Sequence, residues 1–449
     1  MADVVSSTPA PAVEATANGN ATTFEQYEQV TAYCSLYGMA MLCLVVGSVR
    51  SLHFVQRHVT KKKSIETSLS TREAMKFPFT ASAVLFGLYC AFNFNKVFGY
   101  VSAYLPIKVI EIVNRLNSTT SPILNVTDVP QNATGLKAVF GQALSYMPQL
   151  SKANLLYFLL LLLCWEGCVA LAAILKPLFQ IVLRRLPIGN RQPRLNIPYL
   201  ISIKSGKKEM DEGDIEDAGK DDTEYFLKIE FDSHDVVCIA ICLSVGISHL
   251  YQRHWITNNL LGIAFSIFGI ENLHLTSFKA GTWLLSGLFV YDVFWVFGTE
   301  VMTSVAKGID APILLQFPLD IYRHGWLEAN KYAMLGLGDI VIPGIFVALL
   351  RRFDQRVGQK TGGKNQKARY YFWITMFAYA LGLFVTMLVM HFFKAAQPAL
   401  LYLVPSCVLI PMALAVIRGE VSELWNYTEE TFTEAYKNKM KKSSEKKTQ

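Results

Sequence analysis

Long apolar runs alternate with short, mostly basic segments along most of the chain. A run of about 20 apolar residues can cross a bilayer as a helix, and only helices or closed barrels satisfy their backbone polar groups there. The period-2 alternation of barrel strands is absent from these runs. The pattern predicts an all-α polytopic membrane protein of about nine transmembrane helices, at residues 31–49, 77–94, 154–175, 235–251, 255–270, 281–301, 332–350, 370–392 and 397–417.

The polar segments divide the chain into regions. The first 30 residues are rich in Ala, Thr and Pro and lack a basic-then-apolar signal pattern, so we expect a disordered tail there. The other predicted regions are the N-terminal spans at 31–225, with an insert at 95–153 and a polar loop at 176–233, a core of spans at 226–417, and a tail at 418–449.

Composition agrees with a membrane protein. Of the 449 residues, 52% are hydrophobic and only 17% are charged, whereas a soluble domain carries about 25% charged residues. The net charge of +7 does not indicate nucleic-acid binding, because Lys and Arg are concentrated beside the spans. We expect the lipid bilayer, and no nucleic acid, as the surrounding partner.

The positive-inside rule assigns the basic segments to the cytosol. These segments are Arg50–Lys76, the 176–233 loop, Arg351–Arg369 and the tail from Arg418. The amino terminus is then lumenal and, after nine spans, the carboxyl terminus is cytosolic. The glycosylation sequons on the predicted lumenal side are Asn20, Asn117, Asn125 and Asn132, whereas Asn426 falls on the cytosolic side.

The eight cysteines all fall inside apolar runs, where buried thiols are expected rather than disulfides. Cys164/Cys168 and Cys238/Cys242 have helical spacing, but no His or carboxylate completes a metal site beside them. We therefore expect no metal and no cofactor.

Two carboxyl groups lie inside predicted spans, where ionisable residues usually mark function. Asp292 lies in FVYDVFWVFG and Asp339 in MLGLGDIVIPG, on antiparallel spans. Counted from the cytosolic ends of the spans, each lies about 17 Å deep. Packing the two helices together would therefore bring the carboxyls to one level.

Two carboxyls in contact in an apolar setting share one proton. One can then accept a proton from water while the other donates to a carbonyl oxygen, as in aspartic proteases. Gly336 and Gly338 permit close backbone approach beside Asp339, and Gly338 with Pro343 weakens the helix. These physical arguments do not distinguish a protease from a proton-coupled transporter, which is the alternative.

Three motifs narrow these alternatives. Tyr291-Asp292, Gly336-Leu337-Gly338-Asp339 and Gln397-Pro398-Ala399-Leu400 resemble the YD, GxGD and QPAL motifs of the presenilin and signal peptide peptidase superfamily, in the same order. The resemblance is dense over residues 225–425 and is closer to the signal peptide peptidase branch. It implies a presenilin-like aspartyl protease fold, with the catalytic core at 226–417.

By this resemblance, Asp292 and Asp339 are catalytic, and the other motif residues support the active site. The implied substrates are type II membrane segments, notably remnant signal peptides in the endoplasmic reticulum. The final Lys446-Lys447 pair fits a dilysine retrieval signal. A homo-oligomer, quality-control partners and a non-proteolytic scaffold role remain open.

Two further features have alternative interpretations. Glu166 lies within a span, where an interhelical hydrogen bond is favoured over a water-path or substrate contact. The apolar stretch Ile313–Phe317 could pair edge-on with an extended substrate or serve for surface docking.

Overall fold

The computed structural model describes residues 12–60, 68–92, 152–185, 198–207, 223–298, 313–327, 329, 331–360, 370–393 and 397–429. Helices dominate this part of the chain. The long helices are α1 (Ala12–Thr60), α2 (Thr71–Phe92), α3 (Lys152–Arg185), α4 (Ser233–Tyr251), α5 (Trp255–Asn272), α6 (Phe278–Phe297), α8 (Gly338–Lys360), α9 (Tyr370–Phe393) and α10 (Leu400–Arg418). Two short helices are α7 (Ile321–His324) and α11 (Val421–Trp425).

Six strands form three small two-stranded sheets within the described residues. The strands are β1 (Ser68–Leu69), β2 (Pro198–Lys207), β3 (Thr223–Asp232), β4 (His274–Leu275), β5 (Leu314–Pro318) and β6 (Tyr332–Gly336). The pairs are β1 with β4 in parallel, and β2 with β3 and β5 with β6 in antiparallel.

Each predicted span overlaps one long described helix, and the protein is a multi-pass membrane protein. Six of the described helices are long and apolar enough to cross a bilayer. The count of nine spans stays a prediction. Helix α1 begins at Ala12, inside the predicted tail, because the segment AVEATA is rich in the strong helix former Ala.

The prediction of a continuous helix at 332–350 was wrong at its start. Residues Tyr332–Gly336 form strand β6, and the helix begins only at Gly338. Glycine is among the poorest helix formers, so two glycines around Leu337 disfavour a helix there. Pairing with β5 supplies the backbone hydrogen bonds that the helix would have made.

The polar loop predicted at 176–233 contains regular structure. Helix α3 continues to Arg185, and the β2–β3 hairpin occupies much of the rest, with Pro198 opposite Asp232 at its base. The insert at 95–153 lies outside the described residues except for its last two positions, where α3 begins.

The start of α6 is held by strand contacts at one end of the bundle, called the tail end below. Thr276 N donates to Leu69 O, and Phe278 N donates to Tyr427 O. Glu429 N donates to Thr276 O at 2.7 Å. The tail segment after α11 therefore forms a β-bridge, between Thr428 and Ser277, with the segment that leads into α6.

An ion pair connects the same tail segment to α8. Arg352 is fully buried; its Nε lies 2.8 Å from Glu429 Oε1, and its Nη1 donates to Ser51 Oγ. Breaking a buried pair on one side costs about 3–5 kcal/mol, because the remaining charge is uncompensated. The tail end thus joins α1, α6 and α8.

His274 lies fully buried beside this ion pair, with its ring near Phe54. Within the described part of the chain, neither ring nitrogen has a hydrogen-bond partner. Burial, together with the nearby Arg352 and His58, lowers the pKa of His274 to about 2. The folded protein therefore keeps this imidazole neutral.

We expect acid to destabilise the protein through His274. Below the ordinary imidazole pKa of about 6.5, the unfolded chain binds a proton that the folded chain does not, so stability falls as pH falls, by up to about 1.4 kcal/mol per pH unit. Thermal unfolding in detergent between pH 7 and 5 should show a smaller decline for His274→Gln than for wild type. His53→Gln, at an exposed histidine of α1, is the control. Equal pH slopes for wild type and His274→Gln would contradict this assignment.

Candidate active site

Asp292 lies on α6, about four turns beyond its start, and is only 5% exposed. A buried carboxyl needs hydrogen-bond partners. Its Oδ2 accepts a hydrogen bond from the backbone N–H of Leu400 at 3.2 Å. This bond joins the YD motif directly to the QPAL motif, which lies 108 residues further along the chain.

Asp339 lies in the first turn of α8. A Cβ on Gly336 would lie 3.1 Å from Asp339 Oδ2, so the glycine makes room for the carboxyl. The carboxyls of Asp292 and Asp339 interact electrostatically. The two aspartates therefore lie within electrostatic range of each other.

The QPAL segment shapes the start of α10. Pro398 and Ala399 are buried, and their carbonyls accept the first N–H groups of the helix, from Leu401, Tyr402 and Leu403. The N–H of Leu400 is left to donate to Asp292. Proline suits such a helix start because it has no N–H of its own to satisfy.

Each aspartate therefore lies beside the amino terminus of a helix, which for Asp292 is a different helix from its own. Asp339 is in the first turn of α8, and Asp292 accepts from the first residue of α10. A helix amino terminus carries about half a positive charge. The two termini together favour a site that holds negative charge.

The remaining motif residues lie close to this point. Tyr291 is half-buried and adjoins the ring of Trp295. Leu337 is buried, and its N–H donates to Ile313 O, which continues the β5–β6 pairing up to the GxGD motif. Gly338 starts α8, and no atom lies within 4 Å of its would-be Cβ. Gln397 precedes α10 and is half-buried.

Tyr379 of α9 also contacts the site. It is fully buried, and its hydroxyl donates to the backbone carbonyl of Asp339 at 3.3 Å. Tyr379 is not predicted from the sequence, because one tyrosine in an apolar run has no distinguishing local pattern. The packing of α9 on α8 and α10 is what brings Tyr379 to the site.

Two sequence expectations fail near the site. Strand β5 covers residues 314–317 of the apolar stretch. One of its edges pairs with β6, and on the other edge Leu314 and Gln316 already bond to α5 side chains, so these two residues are not free to pair with a substrate. Glu166 is exposed on α3 and has no interhelical hydrogen bond within the described residues. It faces away from the bundle because Cys164, Gly167 and Cys168 occupy the packed side of α3.

The remaining predicted sites are the lumenal glycosylation sequons and the dilysine pair. Asn20 falls within α1. Asn117, Asn125, Asn132, Lys446 and Lys447 lie outside the described residues.

Two neighbouring carboxyls within the apolar helices of a multi-pass bundle are the arrangement of an aspartyl protease that works inside the membrane. Comparison with known proteins gives the particular family. The family model for signal peptide peptidase matches residues 60–431, so the chain belongs to the signal peptide peptidase family and is an intramembrane protease.

Curated relatives agree with this assignment. The chain is 51% identical to "Intramembrane protease 2" of Caenorhabditis elegans, over 95% of this chain and 97% of the relative. It is 37% identical to "Signal peptide peptidase" of Homo sapiens, over 89% of this chain and 83% of the relative. Membership of this family favours the protease over the transporter and scaffold alternatives.

Close packing of α9 on α10 should be needed to hold Leu400 against Asp292. A Cβ on Gly382 would overlap the Ser406 hydroxyl and lie 3.0 Å from Leu403 Cα. We expect Gly382→Val to push α10 away at a cost of about 1–3 kcal/mol, and to lower the cleavage rate in detergent by about tenfold.

The matched control is Gly87→Val on α2, where no atom lies within 4 Å of a would-be Cβ. It should cleave a membrane-segment substrate at the wild-type rate. Equal rates for the two valine variants would show that α9–α10 packing does not position the site.

Proposed function

We propose that Asp292 and Asp339 are the catalytic pair of this protease, and that it hydrolyses peptide bonds within type II membrane segments, notably remnant signal peptides in the endoplasmic reticulum. The observation that carries the proposal is the meeting of three motifs at one point. The Leu400 N–H bonds to Asp292, whose carboxyl acts electrostatically on Asp339.

The two aspartates take different roles in the proposed reaction. A hydrogen bond to an ionised oxygen is stronger than one to a neutral oxygen, so the Leu400 N–H favours the carboxylate form of Asp292. Asp292 is then the base that removes a proton from water. Asp339 holds the shared proton and donates it to the substrate carbonyl oxygen.

The water oxygen forms a bond to the carbonyl carbon and gives a tetrahedral diol. In the second step, the proton on Asp292 passes to the amide nitrogen, the C–N bond breaks, and Asp339 recovers its proton from the diol hydroxyl. The products are a carboxylic acid and an amine, and no cofactor is consumed. Water is the only co-reactant, as general acid–base hydrolysis requires.

The other motif residues have supporting roles in this proposal. Gly336 gives the Asp339 carboxyl its space, and Leu337 ties the motif to β5. Pro398, Ala399 and Leu400 present the N–H group to Asp292, and Gln397 leads into that turn. Tyr291 and Gly338 flank the two aspartates in the chain.

Each aspartate should be indispensable. We expect Asp292→Asn and Asp339→Asn each to lower cleavage of a signal-peptide-like helix by more than about 100-fold, since general acid–base catalysis contributes about 10²–10⁴-fold. Mass spectrometry of products from purified protein in detergent measures the loss. Glu166→Gln, which removes an exposed carboxyl of α3, is the matched control and should retain activity. Wild-type activity in either aspartate variant would overturn the shared-proton mechanism.

The proposed orientation has a lumenal amino terminus and a cytosolic carboxyl terminus. It is supported by the grouping of basic segments, because the ends of α1 and α8 and the start of the tail all meet at the tail end. The opposite end of the bundle holds Glu28 of α1, which pairs with Arg323 beside β5. A cytosolic tail would place Lys446-Lys447 where a retrieval receptor can read them.

Glycan mapping tests this orientation. We expect the sequons at 117–132 to carry glycans and Asn426 to carry none. Endoglycosidase treatment should then lower the mass of the protein by removing those glycans. Asn426 accepts a hydrogen bond from Lys279 at the tail end. Removing the sequons at Asn117, Asn125 and Asn132 together should abolish most of the shift, and a glycan on Asn426 would reverse the orientation.

A further inference from the structure

Two neighbouring asparagines near the start of α5 hold strand β5. Asn258 and Asn259 are each 4% exposed. Asn258 Nδ2 donates to Leu314 O, and Asn259 Nδ2 donates to Gln316 O, both at 2.6 Å. Asn259 Oδ1 also accepts from Gln316 N at 2.8 Å.

The two asparagines bond to the edge of β5 that faces away from β6. Leu337 N donates to Ile313 O, and Leu319 N donates to Lys331 O. Because polar groups alternate between the two edges of an antiparallel strand, residues 313, 315, 317 and 319 of this segment face β6. Leu314 and Gln316 therefore face α5, where the asparagine amides meet them.

The Asn259 side chain acts as a neighbouring strand would. A carboxamide offers one acceptor oxygen and N–H donors, the same groups that a peptide unit presents. Asn259 therefore satisfies both the N–H and the C=O of Gln316. Leaving the polar groups of this partly buried peptide unit without partners would cost more than an average hydrogen bond is worth.

A second observation places the same helix against the catalytic motif. Gly262 lies three residues after Asn259, and a Cβ there would come within 2.9 Å of Leu315 Cδ2 and 3.5 Å of Leu337 Cδ2. Leu337 stands two residues before Asp339. One stretch of α5 thus contacts both β5 and the GxGD segment.

We propose that Asn258 and Asn259 are positioning residues of the protease: they fix β5, and through β6 they set where Gly336–Asp339 lies relative to Asp292. The inference rests on the proposed role of Asp339. Neither asparagine touches the reacting atoms. Their effect passes through backbone pairing, from Gln316 to β6 and then to Leu337.

The test removes the amide while keeping side-chain size. We expect Asn259→Leu to lower kcat by about tenfold with a smaller change in KM. It should also change the product ratio, which is the relative amounts of the products that mass spectrometry distinguishes from one substrate. A loss of folded enzyme alone would lower the yield without altering that ratio. Asn272→Leu is the matched control, since the Asn272 amide bonds within α5, to Phe268 O. It should leave kcat and the product ratio unchanged.

A conservative variant keeps the proposal testable if Asn259→Leu folds poorly. In Asn259→Asp, a protonated carboxyl can donate to Gln316 O and accept from Gln316 N, whereas a carboxylate can only accept. Activity relative to wild type should therefore recover as pH falls. If the activity of Asn259→Asp relative to wild type does not change with pH, the proposed pairing is contradicted.

Hydrogen exchange separates this inference from the proposed function. Peptides covering 313–318 and 332–337 should exchange faster in Asn259→Leu than in wild type. The positioning role is overturned if exchange there is unchanged, or if it rises while kcat and product ratio match wild type. If wild type and Asp339→Asn cleave equally, the proposed function fails, and the exchange result alone decides whether Asn259 holds the hairpin.

Discussion

The structure depends on satisfying a non-helical backbone deep within a membrane protein. Irregular backbone at membrane depth is tolerated only where protein or water satisfies its polar groups. The segment Tyr332–Gly336 is a strand that leads directly to Asp339, and β5 satisfies one edge of it. The far edge of β5 is satisfied in turn by α5 side chains. This layered pairing permits Asp339, the proposed catalytic residue, to lie at a helix start where a continuous transmembrane helix would otherwise run.

The tail end imposes a second constraint, on the opposite ends of the same helices. Asp292 and Asp339 lie on different helices, so their separation depends on how α6 and α8 are joined. The segment before α6 bonds to the tail segment after α11, and that tail segment carries Glu429 to the buried Arg352 of α8. A shift of either helix along its axis would strain that ion pair.

The sequence predicted the helical fold class and the motif residues that meet at the candidate site, but it did not predict the strand that leads into Asp339. Asp292, Asp339 and Leu400 belong to short motifs whose residues lie together in the chain, so their grouping could be seen without coordinates. Asn259 and Tyr379 act through contacts with residues 57 and 40 positions away, and neither has a local pattern. The β6 strand was missed because an apolar run of this length also fits a helix, and only pairing with β5 decides between them.

The helix termini explain how one negative charge can be held among apolar helices. Two carboxyls that share one proton carry one net charge, and an isolated charge at membrane depth is costly. The first turn of α8 contains Asp339, and the first N–H of α10 points at Asp292. Each terminus contributes about half a unit of positive charge, so together they offset about one unit. Since no Lys or Arg occurs in α6 beyond Lys279 at its start, backbone dipoles take the place of a cationic side chain. A buried lysine beside the pair would favour ionisation of both carboxyls and leave no proton to donate, whereas the two termini stabilise the singly protonated state that the proposed reaction needs.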